Sequence, residues 1–221
     1  NIYGYESNEL TSVDSDLWNG LVGLWHFNND SSVGENDSLV YDWTELGNNG
    51  NVINSVHKNS GKHHGSYNFD GSGDYISMGT PNALNLSGNM SVFLWVYPVD
   101  GETSQGIIGQ MSSFTIRQFG IRYGLNDHRI IVYWGDGYIL SPSKELILNQ
   151  WNFIGFTRNG LDGDWDLDVY VNNDISTTNV GRAVGIQGPL SIGKFGDGAT
   201  DYYNGSVDEI AIWNRTLSDK E

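Results

Sequence analysis

Apolar and polar positions along the chain alternate over short runs, and the runs are cut by Gly, Asn, Asp and Ser. Leu21-Val22-Gly23-Leu24-Trp25-His26-Phe27 reads as a first strand with Trp25 and Phe27 on one face. A polar loop follows from Asn28 to about Gly50. Tyr67-Asn68-Phe69 then leads through Gly71-Ser72-Gly73 into Tyr75-Ile76-Ser77-Met78. Ser91 to Tyr97 is β-branched and aromatic and stops at Pro98. Short strands are predicted at 107–110, 114–118, 120–123 and 129–133, and Trp151 to Thr157 gives another. Trp165 to Val171 alternates so that Trp165, Leu167, Val169 and Val171 face a core, and Leu190 to Ile192 and Val207 to Trp213 complete the series. A helical period is absent apart from a hint near Leu217. The pattern predicts an all-β, two-sheet antiparallel β-sandwich of the jelly-roll type, spanning residues 19–221 behind a polar N-terminal extension, residues 1–18.

Composition sharpens this picture. The chain has 29 Gly but only 4 Pro, which suits many tight turns, and its 8 Trp, 12 Tyr and 8 Phe supply a substantial core. With 27 acidic against 11 basic residues the formal charge is −16, so a phosphate backbone or an anionic membrane surface would be repelled; no nucleic-acid partner is expected. No apolar run is long enough for a spanning helix, so no membrane insertion is expected. Cysteine is absent, which removes disulfides, thiol nucleophiles and Cys-based zinc sites. The start at Asn1 reads as that of a processed chain or excised domain.

Four segments in order resemble the laminin G-like, concanavalin A-like jelly-roll family of extracellular modules. They are Gly23 to Asn28 followed by Tyr41 to Gly50; Phe69-Asp70-Gly71-Ser72-Gly73-Asp74-Tyr75-Ile76; Ser91 to Val96 with Leu148 to Ile154 and Leu167 to Asn172; and Gly205-Ser206-Val207-Asp208-Glu209-Ile210-Ala211-Ile212-Trp213-Asn214-Arg215-Thr216-Leu217-Ser218. The resemblance spans roughly Gly20 to Ser218. It implies a mostly non-catalytic lectin-like or adhesion module outside the cell, with carbohydrate or a cell-surface protein as partner. It also implies a structural Ca²⁺ near the meeting of first and last strands. The matching positions are Asn28, Asp42, Gly47 to Asn49 and Asp208, whose oxygens suit a hard cation. Glu45-Leu46 departs from the small Gly-Asn pair expected there, and the same residues would also serve as Asx-turns and caps.

Other constellations carry less. Asp162, Asp164, Asp166 and Asp168 lack the Gly and Glu of an EF-hand, having Leu167 and Asn173 in those places, and read as a turn feeding a strand with Asp166 and Asp168 in solvent. No E-x-D-x-x-E pair is present, and Asp208 and Glu209 are expected to point to opposite faces. His57, His63 and His64 read as a solvated loop, and no nucleophile elbow or phosphate loop occurs. A sugar platform needs an exposed aromatic beside polar groups. The candidates are Arg129, Trp134, Asp136 and Tyr138, with Tyr123, Asn126, Asp127, His128 and Tyr133 around them and Tyr202 and Tyr203 as a second group. Sequons at Asn29, Asn36, Asn85, Asn89, Asn204 and Asn214 are glycosylation candidates in an exported protein. Two alternatives stay open: a structural subunit that self-assembles through the N-terminal extension, and an accessory carbohydrate-binding domain of a polysaccharide-active enzyme.

Overall fold

In a computed structural model, the described residues are 16–221 without 87, 100–102, 114–115, 125–127, 136, 141–143, 162–163, 180–186 and 197–200; side chains at 116, 137–140, 161 and 164–165 are likewise left aside. Most expected strands form, several of them longer than the sequence pattern predicts, whereas the separate strands expected at 114–118 and 120–123 are one continuous strand from Ile116. In chain order they are β1 (Leu21–Trp25), β2 (Leu39–Val40), β3 (Gly50–Ile53), β4 (Val56–Lys58), β5 (Ser66–Asp70), β6 (Tyr75–Gly79), β7 (Met90–Pro98) and β8 (Gln105–Ser113). There follow β9 (Ile116–Tyr123), β10 (Ile130–Trp134), β11 (Gly137–Leu140), β12 (Asn152–Leu161), β13 (Asp164–Val171), β14 (Asp174–Asn179), β15 (Leu190–Ile192) and β16 (Asn204–Trp213).

Two antiparallel sheets result. The first runs β14-β13-β12-β7-β16-β5-β4, with β1 also on β16, and the second β11-β10-β9-β8-β15-β6-β3-β2. Period-two burial turns Val92, Leu94 and Val96 of β7, Ile154 and Phe156 of β12, and Leu167, Val169 and Val171 of β13 into the space between the sheets. There they meet Ile108, Phe119, Ile121, Val132, Leu190 and Ile192 of the second sheet in one continuous core. This is the predicted sandwich.

β16 organises one edge of the first sheet. Its first half pairs with β5 (Asn204↔Asp70 to Val207↔Tyr67) and its second half with β1 (Ile210↔Trp25 to Trp213↔Leu21), both on the side away from β7. Between the halves the register against β7 shifts from Asp208 to Ala211, and Glu209 takes φ 51°. One neighbouring strand thus hands over to another at a β-bulge, the kind of irregularity that re-aims side chains.

Candidate functional site

The outer face of the first sheet is aromatic. Phe93 and Trp95 of β7, Phe153 of β12 and Tyr170 of β13 point away from the core and are half-buried. Phe93 and Phe153 are stacked at 5.3 Å and 5°, Trp95 lies 5.2 Å from Phe153, and Tyr170 sits edge-on to Phe93 at 5.3 Å. A groove of about 840 Å³ opens over these rings; Trp151, Thr157, Asn172 and Glu209 also line it. Lys62 closes one end with its Nζ 4.2 Å from the Trp95 ring, while Leu17 and Leu217 lie at the Trp213 end. Apolar floor with polar walls is the chemistry of a small-ligand or saccharide groove.

The β16 bulge forms the wall beside Lys62. The expectation that Asp208 and Glu209 point to opposite faces does not hold, because the left-handed Glu209 breaks the alternation and buries both carboxyls. Glu209 Oε2 lies 2.7 Å from His26 Nδ1. Asp208 is closed over by the 61–65 loop, whose His63 N–H donates to Asp208 Oδ2 at 2.8 Å and whose Gly65 N–H donates to Asn28 Oδ1 at 3.0 Å. The loop fits because it is glycine at both ends: a Cβ at Gly61 would sit 2.0 Å from the Gly65 carbonyl and 2.6 Å from Asp208 Oδ2, and one at Gly65 2.3 Å from the Phe27 carbonyl. Asp208 Oδ1 is buried with no hydrogen-bond partner among the described residues. Burial pushes the Asp208 carboxyl up to about 8, against the His63 N–H and helped by the charge of Glu209. Burial also holds the His63 imidazole below its ordinary value.

Residues 70–221 match the family model of the concanavalin A-like lectin/glucanases superfamily. The chain belongs to this superfamily. Among solved structures the superfamily sandwich recurs at low identity. Domain 4 of AbnA, a GH43 extracellular arabinanase from Geobacillus stearothermophilus seen with arabinotriose, is 16% identical with a TM-score of 0.66, covering 90% of this chain and 94% of that one. The Trypanosoma rangeli sialidase in complex with sialic acid is 16% identical (TM-score 0.69; 91% of this chain, 32% of that one). The botulinum neurotoxin serotype D binding domain is 15% identical (TM-score 0.68; 93% and 50%). At these identities the likeness speaks to fold. No curated protein sequence matches the chain.

Within this superfamily chain the five residues expected around calcium divide between two networks. Asp42 is fully buried and its carboxylate accepts five hydrogen bonds: from Leu24 N–H (3.2 Å), Thr44 N–H (3.1 Å) and Thr44 Oγ1 (2.7 Å) on Oδ1, and from Asn48 N–H (3.1 Å) and Asn48 Nδ2 (2.7 Å) on Oδ2. Five donors exhaust a carboxylate's acceptor positions, so Asp42 staples the loop to β1 and has nothing left for a cation. Asn49 Oδ1 accepts from Asp42 N–H at 2.8 Å, which ties Asn49 to the same loop network, and Gly47 is an exposed turn residue at φ 80°. Asn28 and Asp208 stand apart at the 61–65 loop, where the unfilled Asp208 Oδ1 and nearby backbone carbonyls are hard oxygen donors that fit Ca²⁺. Among the described residues no three His, Asp or Glu side chains converge.

The expected sugar platform lies elsewhere. Trp134 is 2% exposed and fills the sandwich interior, with the Arg158 guanidinium 3.9 Å from its ring and Phe156 at 6.3 Å. It is core, because β10 places it on the inward face in register with Phe119. Tyr123, Tyr133 and Tyr203 are buried, Arg129 is half-buried, Asp136 lies outside the described residues, and Tyr138 is described only by its backbone pairing with Tyr133. The groove aromatics were within reach of the sequence: Phe93, Trp95 and Tyr97 occupy alternate positions of β7 opposite Val92, Leu94 and Val96, so one face was bound to be aromatic and outward. His57 falls in β4, half-buried, with Nε2 2.9 Å from the Phe27 carbonyl, and is no free loop residue. Asp166 is exposed and Asp168 half-buried, facing Asn179 and Thr177 of β14. Asn36, Asn85 and Asn214 are exposed, whereas Asn29, Asn89 and Asn204 are half-buried.

Proposed function

We propose that the chain is a non-catalytic, extracellular carbohydrate-binding module that takes an oligosaccharide into the groove on the outer face of its first sheet. The observation that carries this reading is the solvent-facing floor of Phe93, Trp95 and Phe153, flanked by Thr157, Asn172 and Glu209. Sugar rings present C–H faces to aromatic rings and hydroxyls to such polar edges. The likeness to domain 4 of an arabinanase seen with arabinotriose supports a saccharide in this fold. A binding role is favoured over hydrolysis because glycosidases need two free carboxyls. Here Glu209 is engaged by His26, and Glu221 by Arg215 and Ser218. The six sequons support an extracellular setting. Calcium, on this reading, is a structural ion held by Asp208 and Asn28 with loop carbonyls, and its chemistry is to neutralise the buried carboxylate and brace the groove wall.

The test is calorimetric titration with a panel of neutral oligosaccharides that includes arabinotriose. At least one should bind, and Trp95→Ala should weaken it by about 1 kcal/mol, roughly a fivefold rise in Kd. Binding that is indifferent to Trp95→Ala and Phe153→Ala would move the site off this face.

A further inference from the structure

We propose that the saccharide this groove takes is an amino sugar, its ammonium group drawn to the carboxylates of Asp219 and Asp168 at the Tyr170 end. The inference rests on the saccharide reading of the groove and adds the charge of its ligand. Alternation along β13 turns Leu167, Val169 and Val171 into the core, so Asp168 and Tyr170 share the outer face with the aromatic floor. Thr157 of β12 lies opposite Asp168 in the register, with its Oγ1 3.5 Å from Asp168 Oδ2. The segment after β16 crosses this row. Ser91 Oγ donates to the Arg215 carbonyl at 2.9 Å and accepts from Leu217 N–H at 2.9 Å. The crossing brings Asp219 to the lining of the groove, where it hydrogen-bonds the Tyr170 hydroxyl, as Thr157 does, while Asp168 stands just behind them.

No basic side chain among the described residues pairs with either carboxylate. Asp168 is met by the hydroxyls of Thr157 and Thr177, Arg215 is taken by Glu221, and Lys220 lies outside the groove lining. Lys62 stands at the other end, beside the Trp95–Phe153 row, which is four residues along β12 from Thr157, or about 13 Å. The charges of Asp168 and Asp219 both reach the Tyr170 hydroxyl and join burial in raising its pKa. Two like charges about one hydroxyl oppose each other, and an ammonium beside them replaces that repulsion with attraction. The floor also suits a cation. The Lys62 ammonium already lies 4.2 Å from the Trp95 ring, and the stacked Phe93 and Phe153 with the edge-on Tyr170 carry further negative ring faces along the groove. An anionic saccharide would meet Glu209, Asp219 and Glu221 in the lining and a chain charge of −16, whereas an amino sugar is attracted by both.

The experiment titrates the full chain by calorimetry with two glucosamine trimers, one N-acetylated throughout and one with free amines, at a mildly acidic pH where the amines are protonated. The amine form should bind about tenfold tighter, as a charge-assisted contact implies. Asp168→Asn combined with Asp219→Asn should bring the two trimers to within about twofold by weakening the amine form alone. The near-ultraviolet signal of the aromatic floor should stay unchanged, which shows that the variant is folded. Equal binding of both trimers by the parent chain overturns the proposal and leaves the proposed function standing. A preference that survives the double substitution also overturns it, because the amine is then read elsewhere. If neither trimer binds and the neutral panel is silent as well, the saccharide reading itself fails and takes this inference with it. Trilysine binding more tightly than the amine trimer, with the same dependence on the two aspartates, would overturn the amino sugar in favour of a basic peptide.

Discussion

Asp42 and Asp208 are both buried aspartates in the same part of the molecule, and their surroundings give them opposite roles. Asp42 is met by five donors, so Asp42→Asn removes acceptor capacity from a closed network and should lower the melting temperature whether or not calcium is present. Asp208 has an unfilled oxygen and a carboxyl pushed up to about 8. In calcium-free buffer the folded chain therefore holds a proton there that the unfolded chain releases near pH 4. Stability from this group is complete below about pH 4 and is lost as pH rises through about 8. Denaturant midpoints measured in EDTA should fall across that window, and Asp208→Asn should flatten the slope. Calcium added at pH 8 should raise the melting temperature of the parent chain and leave Asp208→Asn unmoved; an equal rise in both would place the ion elsewhere. Trp134 makes the complementary case. Truncating this buried ring to Ala should cost about 3–5 kcal/mol of stability by chemical denaturation, the signature of core rather than of a binding platform.

The groove floor is a property of strands β7 and β12 together. Gly155 of β12 lies opposite Phe93 in the register, and a Cβ there would stand 2.3 Å from the Val92 carbonyl and 2.4 Å from Phe93 Cδ1. The missing side chain lets the Phe93 ring settle over β12 and stack on Phe153. Gly155→Ala should destabilise the fold by about 1–3 kcal/mol and tilt Phe93, visible as a shifted ring signal of Phe153 together with weakened saccharide binding. Strands were readable in the sequence wherever alternation was strong: β7, β13 and β16 fall close to the predicted positions because Val92, Leu94, Val96, Leu167 and Val169 mark one buried face. β14 was not, since Asp174–Asn179 is almost wholly exposed at a sheet edge and carries no apolar period. The bulge was hidden for a different reason. It arises where β5 gives way to β1 alongside β16, a pairing between segments far apart in the chain, so no local pattern announces that Glu209 turns left-handed. Trp134 was misplaced for lack of the same long-range information: a Trp-Gly-Asp-Gly-Tyr hairpin looks alike whether its Trp points into the sandwich or out of it.

At the scale of the molecule, the two sheets differ in what they show to solvent, and the −16 charge does not say where the chain binds. Lys62, one of only eleven basic residues, stands at the end of the aromatic groove, whose lining also carries Glu209, Asp219 and Glu221. The fold class and the core were legible because they depend on pattern. The groove needed the topology that sets β7 beside both β12 and β16. The same topology joins the first and last segments of the described residues. Leu21 pairs with Trp213, Asn214 N–H donates to the Gly20 carbonyl at 2.8 Å, and Arg215 ties Asp16, Asn19 and Glu221 together. A mechanical consequence follows. Tension applied through both ends of this domain would pull β1 and β16 apart from one shared end, breaking their hydrogen bonds one after another instead of loading them all in shear. Stretched between two handles, the chain should yield first by peeling β1 away at low force, with the rest of the sandwich rupturing later; Arg215→Ala should lower that first event and leave the second unchanged. Because β1 leads directly into Asn28 and His26 at the groove wall, such a peel would also dismantle the wall, making occupancy of the groove sensitive to load.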